Sequence, residues 1–418
     1  MKLVKSLLLG SAAGLVAVAG ASAADLGVKK PTAVEYVKTC PQYGAGFFVV
    51  PGTTSCLKII GRVRADYIFN NDNQRGNDKN TFRARGYFGY DHRTATEYGL
   101  LRTYIRGYIG RDNAGAAAST PNGYAPVIEY AFIQFGGLTV GRITPVFEHG
   151  WANLYNGSGT FGGFSDIAYV NSVGYTYQFG GGFSATIALD SANERRVAGV
   201  TGSVGYAGQA MPDIVGRLDY TGSWGQAFIA GAVHQVRPSS TAVGITPAAA
   251  AIRPIGNTEY GWAITGGAKI NLPFITQGSN FWVNGTYTEG ALSYAGFSGS
   301  AQIGSRTYTF SDALAVGTST RLTTAWSVSG GLEVFATPRI RLGVYGTYAS
   351  VDPFGAANTT DTYSVWGQAA WLPVSGFQIG GEFGWIQART DVNGFTAAPV
   401  GSRTQDSYVG RVRFQRDF

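Results

Sequence analysis

From Leu57 to the C-terminus, apolar and polar side chains alternate nearly one for one. Over Lys58 to Phe69, one parity carries Ile59, Gly61, Val63, Ala65, Tyr67 and Phe69. The other carries Lys58, Ile60, Arg62, Arg64, Asp66 and Ile68, so every charge of the segment shares one face. The same division recurs in Phe82, Ala84, Gly86, Phe88 and Tyr90 against Arg83, Arg85, Tyr87, Gly89 and Asp91. It recurs again where Leu101 to Ile109 oppose Arg102, Tyr104, Arg106 and Tyr108, and where Tyr408, Gly410, Val412 and Phe414 oppose Arg411, Arg413 and Gln415. A period of two marks β-strands with unlike faces. The pattern predicts an all-β chain of about sixteen strands, at 57–69, 81–92, 97–110, 126–135, 137–146, 168–179, 183–190, 211–221, 225–236, 258–270, 280–290, 321–335, 339–350, 361–371, 377–389 and 405–418.

A soluble, half-buried sheet also alternates. Three details point instead to a transmembrane antiparallel β-barrel. Many strands reach ten residues, beyond the usual length in globular sheets and enough for a tilted strand to cross a bilayer. Aromatics such as Tyr67, Phe69, Phe88 and Tyr90 sit near the ends of the apolar face, as interfacial girdles require. The connections also sort by length. Short turns are expected at Arg93–Thr96, Gly136, Gly180–Gly182, Gly222–Trp224, Ala336–Pro338 and Leu372–Gly376, with a middling one at Asn271–Ser279. Long stretches fall between them, at 70–80, 111–125, 147–167, 191–210, 237–257, 291–320, 351–360 and 390–404. Short periplasmic turns and long extracellular loops are the habit of outer-membrane barrels.

Composition then reads differently from that of a soluble protein. Charged residues are only 14% of 418, Gly numbers 61, and mean hydropathy is +0.00. A chain with one lipid face and one water face averages to zero. Net charge is +7 without a Lys/Arg block, which gives no footing for nucleic acid. Lys2 and Lys5, then Leu7–Leu9, then Ala21-Ser22-Ala23 form a signal peptide cleaved after residue 23. Residues 24–56 are then a periplasmic N-terminal segment and 57–418 the barrel. Export brings the two cysteines, Cys40 and Cys56, into an oxidising compartment, where a disulfide is expected.

Candidate chemistry is sparse. Gly157 to Gly162 matches a dinucleotide fingerprint by letter, but no helix follows it. His92, His149 and His234 are scattered, so no catalytic residues, metal ligands or cofactor site are expected. The constellation that remains is basic. Arg62, Arg64, Arg83, Arg85, Arg102 and Arg106 lie on the inward parity of three consecutive strands, and Arg142 on the fifth. Two readings stand: these arginines line a charged constriction, or they fill the lumen and pair with Asp66, Asp91 and Glu129. A 147–167 loop folded inward would set Glu148 and Asp166 opposite them.

Glu35 to Cys40, Tyr43 to Phe48 and Pro51 to Ile59 resemble the mature N-terminus of alphaproteobacterial, rhizobial-type porins. Gly137 to Arg142 resembles the strand entering a porin's constriction loop, and Tyr408 to Phe418 resembles a terminal-Phe barrel strand. The resemblance implies a homotrimer in outer-membrane lipid and lipopolysaccharide, passing small hydrophilic solutes and ions passively. It implies an inward-folded third loop, facing arginines, and a terminal Phe418 read by the barrel-assembly machinery. It implies no enzyme. The alternative function is a substrate-selective channel for sugars or small anions, with Tyr87, Tyr104 and Tyr108 as a stacking track.

Overall fold

A computed structural model describes residues 37–71, 78–112, 126–155, 169–198, 204–242, 257–316, 319–353, 359–392 and 401–418. The expected signal peptide and Asp166 lie outside these residues. Sixteen antiparallel strands form the barrel: β1 Cys56–Asn70, β2 Asn80–Thr96, β3 Gly99–Asp112, β4 Val127–Phe135, β5 Leu138–Ile143, β6 Val170–Gly180, β7 Phe183–Asp190 and β8 Asp213–Gly222, followed by β9 Gly225–Val236, β10 Glu259–Asn271, β11 Asn280–Glu289, β12 Thr324–Thr337, β13 Ile340–Asp352, β14 Thr360–Val374, β15 Phe377–Val392 and β16 Gly401–Asp417. Each pairs with its neighbours in sequence, and β1 pairs with β16 from Arg62↔Asp417 to Asn70↔Val409. That last pairing removes both sheet edges, so every strand meets a neighbour on each side.

The two faces separate as the alternation requires. Ile59, Val63, Phe82, Phe88, Ile133, Val173, Ile187, Leu218, Val344 and Phe383 are all exposed on the outside, where lipid would cover them. Charge on this face is costly at mid-bilayer and cheap at its rim. Arg416, outward near the end of β16, reaches the Ser375 carbonyl in the adjacent turn.

Connection lengths alternate around the whole barrel. Seven connections at one end run 97–98, 136–137, 181–182, 223–224, 272–279, 338–339 and 375–376. The other end carries the remaining eight, six of them longer than any at the first end, of which the third (144–169), fourth (191–212) and sixth (290–323) matter below. The first turn falls later than the predicted Arg93–Thr96. Asp91 and Arg93 continue the inward face of β2, and the reversal waits for Thr96, whose hydroxyl donates to the Gly99 carbonyl (2.7 Å) while Gly99 takes φ +115°. The sixth loop is also more ordered than a featureless stretch, with hairpins Ser300–Ile303/Arg306–Thr309 and Ala313–Val316/Ser319–Leu322.

The described segment before β1 and the C-terminus are both fastened at the short-turn end. Cys40 and Cys56 are bonded, and Phe48–Val49 pairs with Leu57 and Cys56. Arg93 and Lys58 lie over the Phe47 ring at 4.7 and 5.9 Å. Phe418 extends β16 by two further hydrogen bonds with Gly61 (2.9 and 3.0 Å). A Cβ at Gly61 would lie 2.1 Å from the Phe418 ring, so a larger residue there would turn that ring aside.

The lumen is unevenly filled. Inward side chains of β11 to β15 are sealed: Trp282, Trp366, Ala349 and Ala388 are all 0% exposed. What covers them is an apolar cluster of loop residues, including Phe147, Trp151, Val197, Tyr294, Phe297, Ile303 and Phe310. Across the barrel, the inward side chains of Arg62 and Arg102 are each 25% exposed. The loops thus pack a second core inside the barrel against one wall and leave arginines of the wall built by β1 to β4 partly exposed.

Candidate lumen site

The β1–β4 wall is ordered in rows that the strand register fixes. Nearest the short turns, Arg93 faces Arg102, which faces Gln134. Next come Lys58, Asp91, Tyr104 and Phe132 side by side. Further rows hold Arg106 with Tyr130, then Asp417, Arg62, Tyr87 and Tyr108, then Gln415, Arg64 and Arg85, and then Arg413, Asp66 and Arg83.

Carboxylates are interleaved with most of the expected arginines. Arg102 grips Asp91 through two hydrogen bonds of 3.0 Å, and Arg93 shares the same carboxylate. Arg106 donates to Glu129 (2.8 Å), Arg62 pairs with Asp417, and Arg142 donates to Glu194 of the fourth loop (2.6 Å). Asp66 is shared by Arg413 (2.7 Å), Arg411 (3.7 Å) and Arg83 (3.9 Å). Between the charges lie aromatic faces: Arg85 over Tyr108 at 4.4 Å, Arg64 over Tyr87 at 5.2 Å and Arg106 over Tyr130 at 4.7 Å. The sequence locates Asp66, Asp91 and Glu129 as partners. It does not reveal Asp417 or Arg413, which reach the wall only through closure of β16 on β1.

The third loop folds inward and crosses the inside of the barrel. Trp151 Nε1 donates to Gln226 on β9 (3.0 Å), and Asn153 Nδ2 donates to Glu333 on β12 (2.7 Å). The Tyr155 amide donates to Glu382 on β15 (2.6 Å). The Tyr155 carbonyl accepts from Arg411 and from Arg413 on β16. Gly380 supplies the hollow for the Tyr155 phenol, since a Cβ there would meet the hydroxyl at 2.1 Å. Glu148 lies on the far side from the β1–β4 wall, 3.7 Å from Arg195, while Arg217 holds the Val146 and Glu148 carbonyls. Glu148 is therefore engaged by an arginine of the fourth loop that the expected set does not include, because the loop enters along β8 and β9 before it reaches β16. The acids that fasten the loop, Glu333 and Glu382, come from the barrel wall and not from the loop.

His149 is packed in this segment between Trp151, Phe228 and Trp282, at ring distances of 4.7, 5.8 and 5.2 Å. Burial, aided by the Arg217 charge, pushes its pKa down from 6.5 to about 4. The seated loop prefers neutral imidazole, so its stability is complete above pH 6.5 and declines as pH falls toward about 4. The full loss is on the order of 3 kcal/mol. Single-channel recordings through that window should show growing current noise on the acid side. His149→Phe should abolish the onset; an unchanged onset would remove His149 as its cause.

A family model described as a porin subfamily matches residues 25–411. Porin Omp2b of Brucella suis biovar 1 and Porin Omp2b of Brucella abortus are each 30% identical over 437 residues, covering 99% of this chain and 99% of theirs. Among solved structures, the outer membrane channel DcaP of Acinetobacter baumannii superposes with a TM-score of 0.65 at 16% identity, covering 88% of this chain and 99% of that one. OmpT of Vibrio cholerae in its trimer form gives 0.54 at 11% identity, covering 88% and 100%. With a family model spanning most of the chain, full-length relatives at 30% identity and a closed sixteen-stranded barrel, the chain belongs to the porin family of outer-membrane channels.

Proposed function

We propose that the barrel passes small hydrophilic solutes and ions down their gradients through a water path along the β1–β4 wall. The observation that carries this is the asymmetry of burial: Trp282 and Trp366 are fully sealed, while Arg62 and Arg102 across the lumen reach water. Arg62, Arg64, Arg83, Arg85, Arg102 and Arg106 flank that path, with Arg142 paired to the fourth loop at its side. Crossed charges over a narrow passage orient water and favour polar solutes over apolar ones. No catalytic step is assigned to the chain, in keeping with relatives and a family that are channels.

The working form in this proposal is a homotrimer in outer-membrane lipid and lipopolysaccharide, by analogy with the trimer form of the Vibrio neighbour. Residues 1–23 direct export, 24–56 stay at the periplasmic end, and Phe418 serves the barrel-assembly machinery. Phe418 is 70% exposed on the outer face, within reach of a receptor. Purified protein in planar bilayers should give stepwise, ohmic current increments, and proteoliposomes should swell in small sugars. An insulating bilayer with correctly folded protein inserted would contradict the proposal.

A further inference from the structure

The row Gln415–Arg64–Arg85 differs from its neighbours. The row on one side contains Asp66 and the row on the other contains Asp417, but this one places two arginines opposite each other with an amide beside them. Like charges in directly opposed positions destabilise a sheet. Arg64 donates to Gln415 Oε1 (3.0 Å) and faces Tyr87 and, among the described residues, has no carboxylate within ion-pair distance. A guanidinium taken part of the way out of water without a counter-ion is costly to fold around. Something other than barrel stability therefore accounts for Arg64.

Arg64 opens into a cavity of about 460 Å³ bounded by residues 152–155 of the third loop and by β1, β13, β14, β15 and β16. Three further arginines line it, Arg62, Arg341 and Arg413, against one carboxylate, Asp417. Behind the cavity wall, Asp66 is already divided among three arginines, and Glu333 is bound by Asn153 and lies 3.8 Å from Arg341 Nε. Gln378 contributes an amide group that can donate, while the amides of Gln415 and Asn153 already donate to Asp417 (3.0 Å) and Glu333 (2.7 Å). The fork of a guanidinium matches the paired oxygens of a carboxylate or phosphate, and its charge survives any physiological pH.

We propose that this cavity is an oxyanion-binding subsite in the lumen, at which a small carboxylate or phosphate pauses on the way through, with Arg64 and Arg341 as its principal donors. The subsite deepens the channel reading and rests on it. It makes flux of such anions saturable, whereas neutral solutes pass without pausing. It also uses residues that a three-strand arginine wall does not include, since Arg341 and Arg413 arrive from β13 and β16.

The test is block of single-channel chloride current by inorganic phosphate and, separately, by acetate. Wild-type channels should show current that falls with phosphate along a saturating curve. Arg64→Gln and Arg341→Gln should each raise the half-blocking concentration by about tenfold, the value of one lost charged hydrogen bond. Arg64→Lys, which keeps the charge and loses the fork, should fall between. Heat-modifiable migration on gels establishes that each variant barrel is folded. Block by both anions identifies the carboxylate and phosphate class; block by phosphate alone narrows it to phosphate. Ohmic channels that phosphate does not block, or block that ignores both arginines, would overturn the subsite and leave the channel reading intact. Absence of channels from folded protein would instead overturn the channel reading.

Discussion

Replacing Asp312 by Ala should release the fourth and sixth loops from the barrel mouth while the barrel itself stays closed. Asp312 lies in the sixth loop and is 0% exposed. Its Oδ1 accepts the Leu292 amide (2.7 Å), and its Oδ2 accepts the Val197 amide (2.7 Å) and the Tyr206 hydroxyl (2.6 Å). One carboxylate thus joins both loops. His234 Nε2 lies 3.9 Å from it, and His234 Nδ1 sits 2.8 Å from Asp213, which also accepts the Tyr294 hydroxyl (2.7 Å). Burial raises the Asp312 pKa, and these donors with the neighbouring imidazole oppose that rise. Ala would leave the buried Leu292 and Val197 amides without an acceptor, at about 1–3 kcal/mol each, and would leave the Tyr206 hydroxyl with His234 Nε2 (3.2 Å) as its partner. Limited proteolysis of detergent-solubilised, folded protein should then cut within 191–212 and 290–323, where wild type resists. Asp312→Asn keeps one acceptor oxygen and should be intermediate. Equal resistance in all three proteins would show that the loops are held by their apolar contacts alone.

Gly380→Val should lift Tyr155 of the third loop from the wall and enlarge the conductance about twofold or more, because loop packing sets the free cross-section. The Tyr155 hydroxyl occupies the space of the missing Cβ, at 2.1 Å, so a branched side chain displaces the residue outright. With it go the amide bond to Glu382 and the carbonyl bonds from Arg411 and Arg413. Gly381, one residue on, faces outward with nothing within 4 Å of its Cβ position, so Gly381→Val is the matched control. Larger sugars should enter proteoliposomes bearing Gly380→Val and not those bearing Gly381→Val. Unchanged conductance in the first variant would mean that Tyr155 does not set the opening.

The barrel was legible because a period of two is local. Each strand displays its own inward and outward sets, as in Arg62, Arg64 and Asp66 against Val63, Ala65 and Tyr67, and connection lengths add the sidedness. The disulfide was legible from export and a count of two cysteines. The interior was not legible, because its contacts join distant residues. Tyr155 meets Gly380 and Glu382, the latter 227 residues on, and Asn153 meets Glu333, 180 residues on. Arg341, Arg411 and Arg413 carry the right parity in the sequence, but only closure of β16 onto β1 brings them beside Arg62 and Arg64. Asp312 sits in a stretch without periodicity, and nothing nearby marks it as the joint between two loops. Gly380 and Gly61 left a weak signal: each is a small residue in a strand where a larger one would pack, which points to another chain segment lying close.

In the proposed channel, water passes along β1–β4 and not along the opposite, loop-covered wall. Cysteine substitution tests it most directly. Tyr104 is half-buried on the arginine wall, and Ala349 is sealed on β13, both inward. Single channels carrying Tyr104→Cys should lose current in a discrete step when a negatively charged methanethiosulfonate reagent is added. Channels carrying Ala349→Cys should not respond. Modification of Ala349→Cys with no response from Tyr104→Cys would place the water path on the other wall and contradict the account.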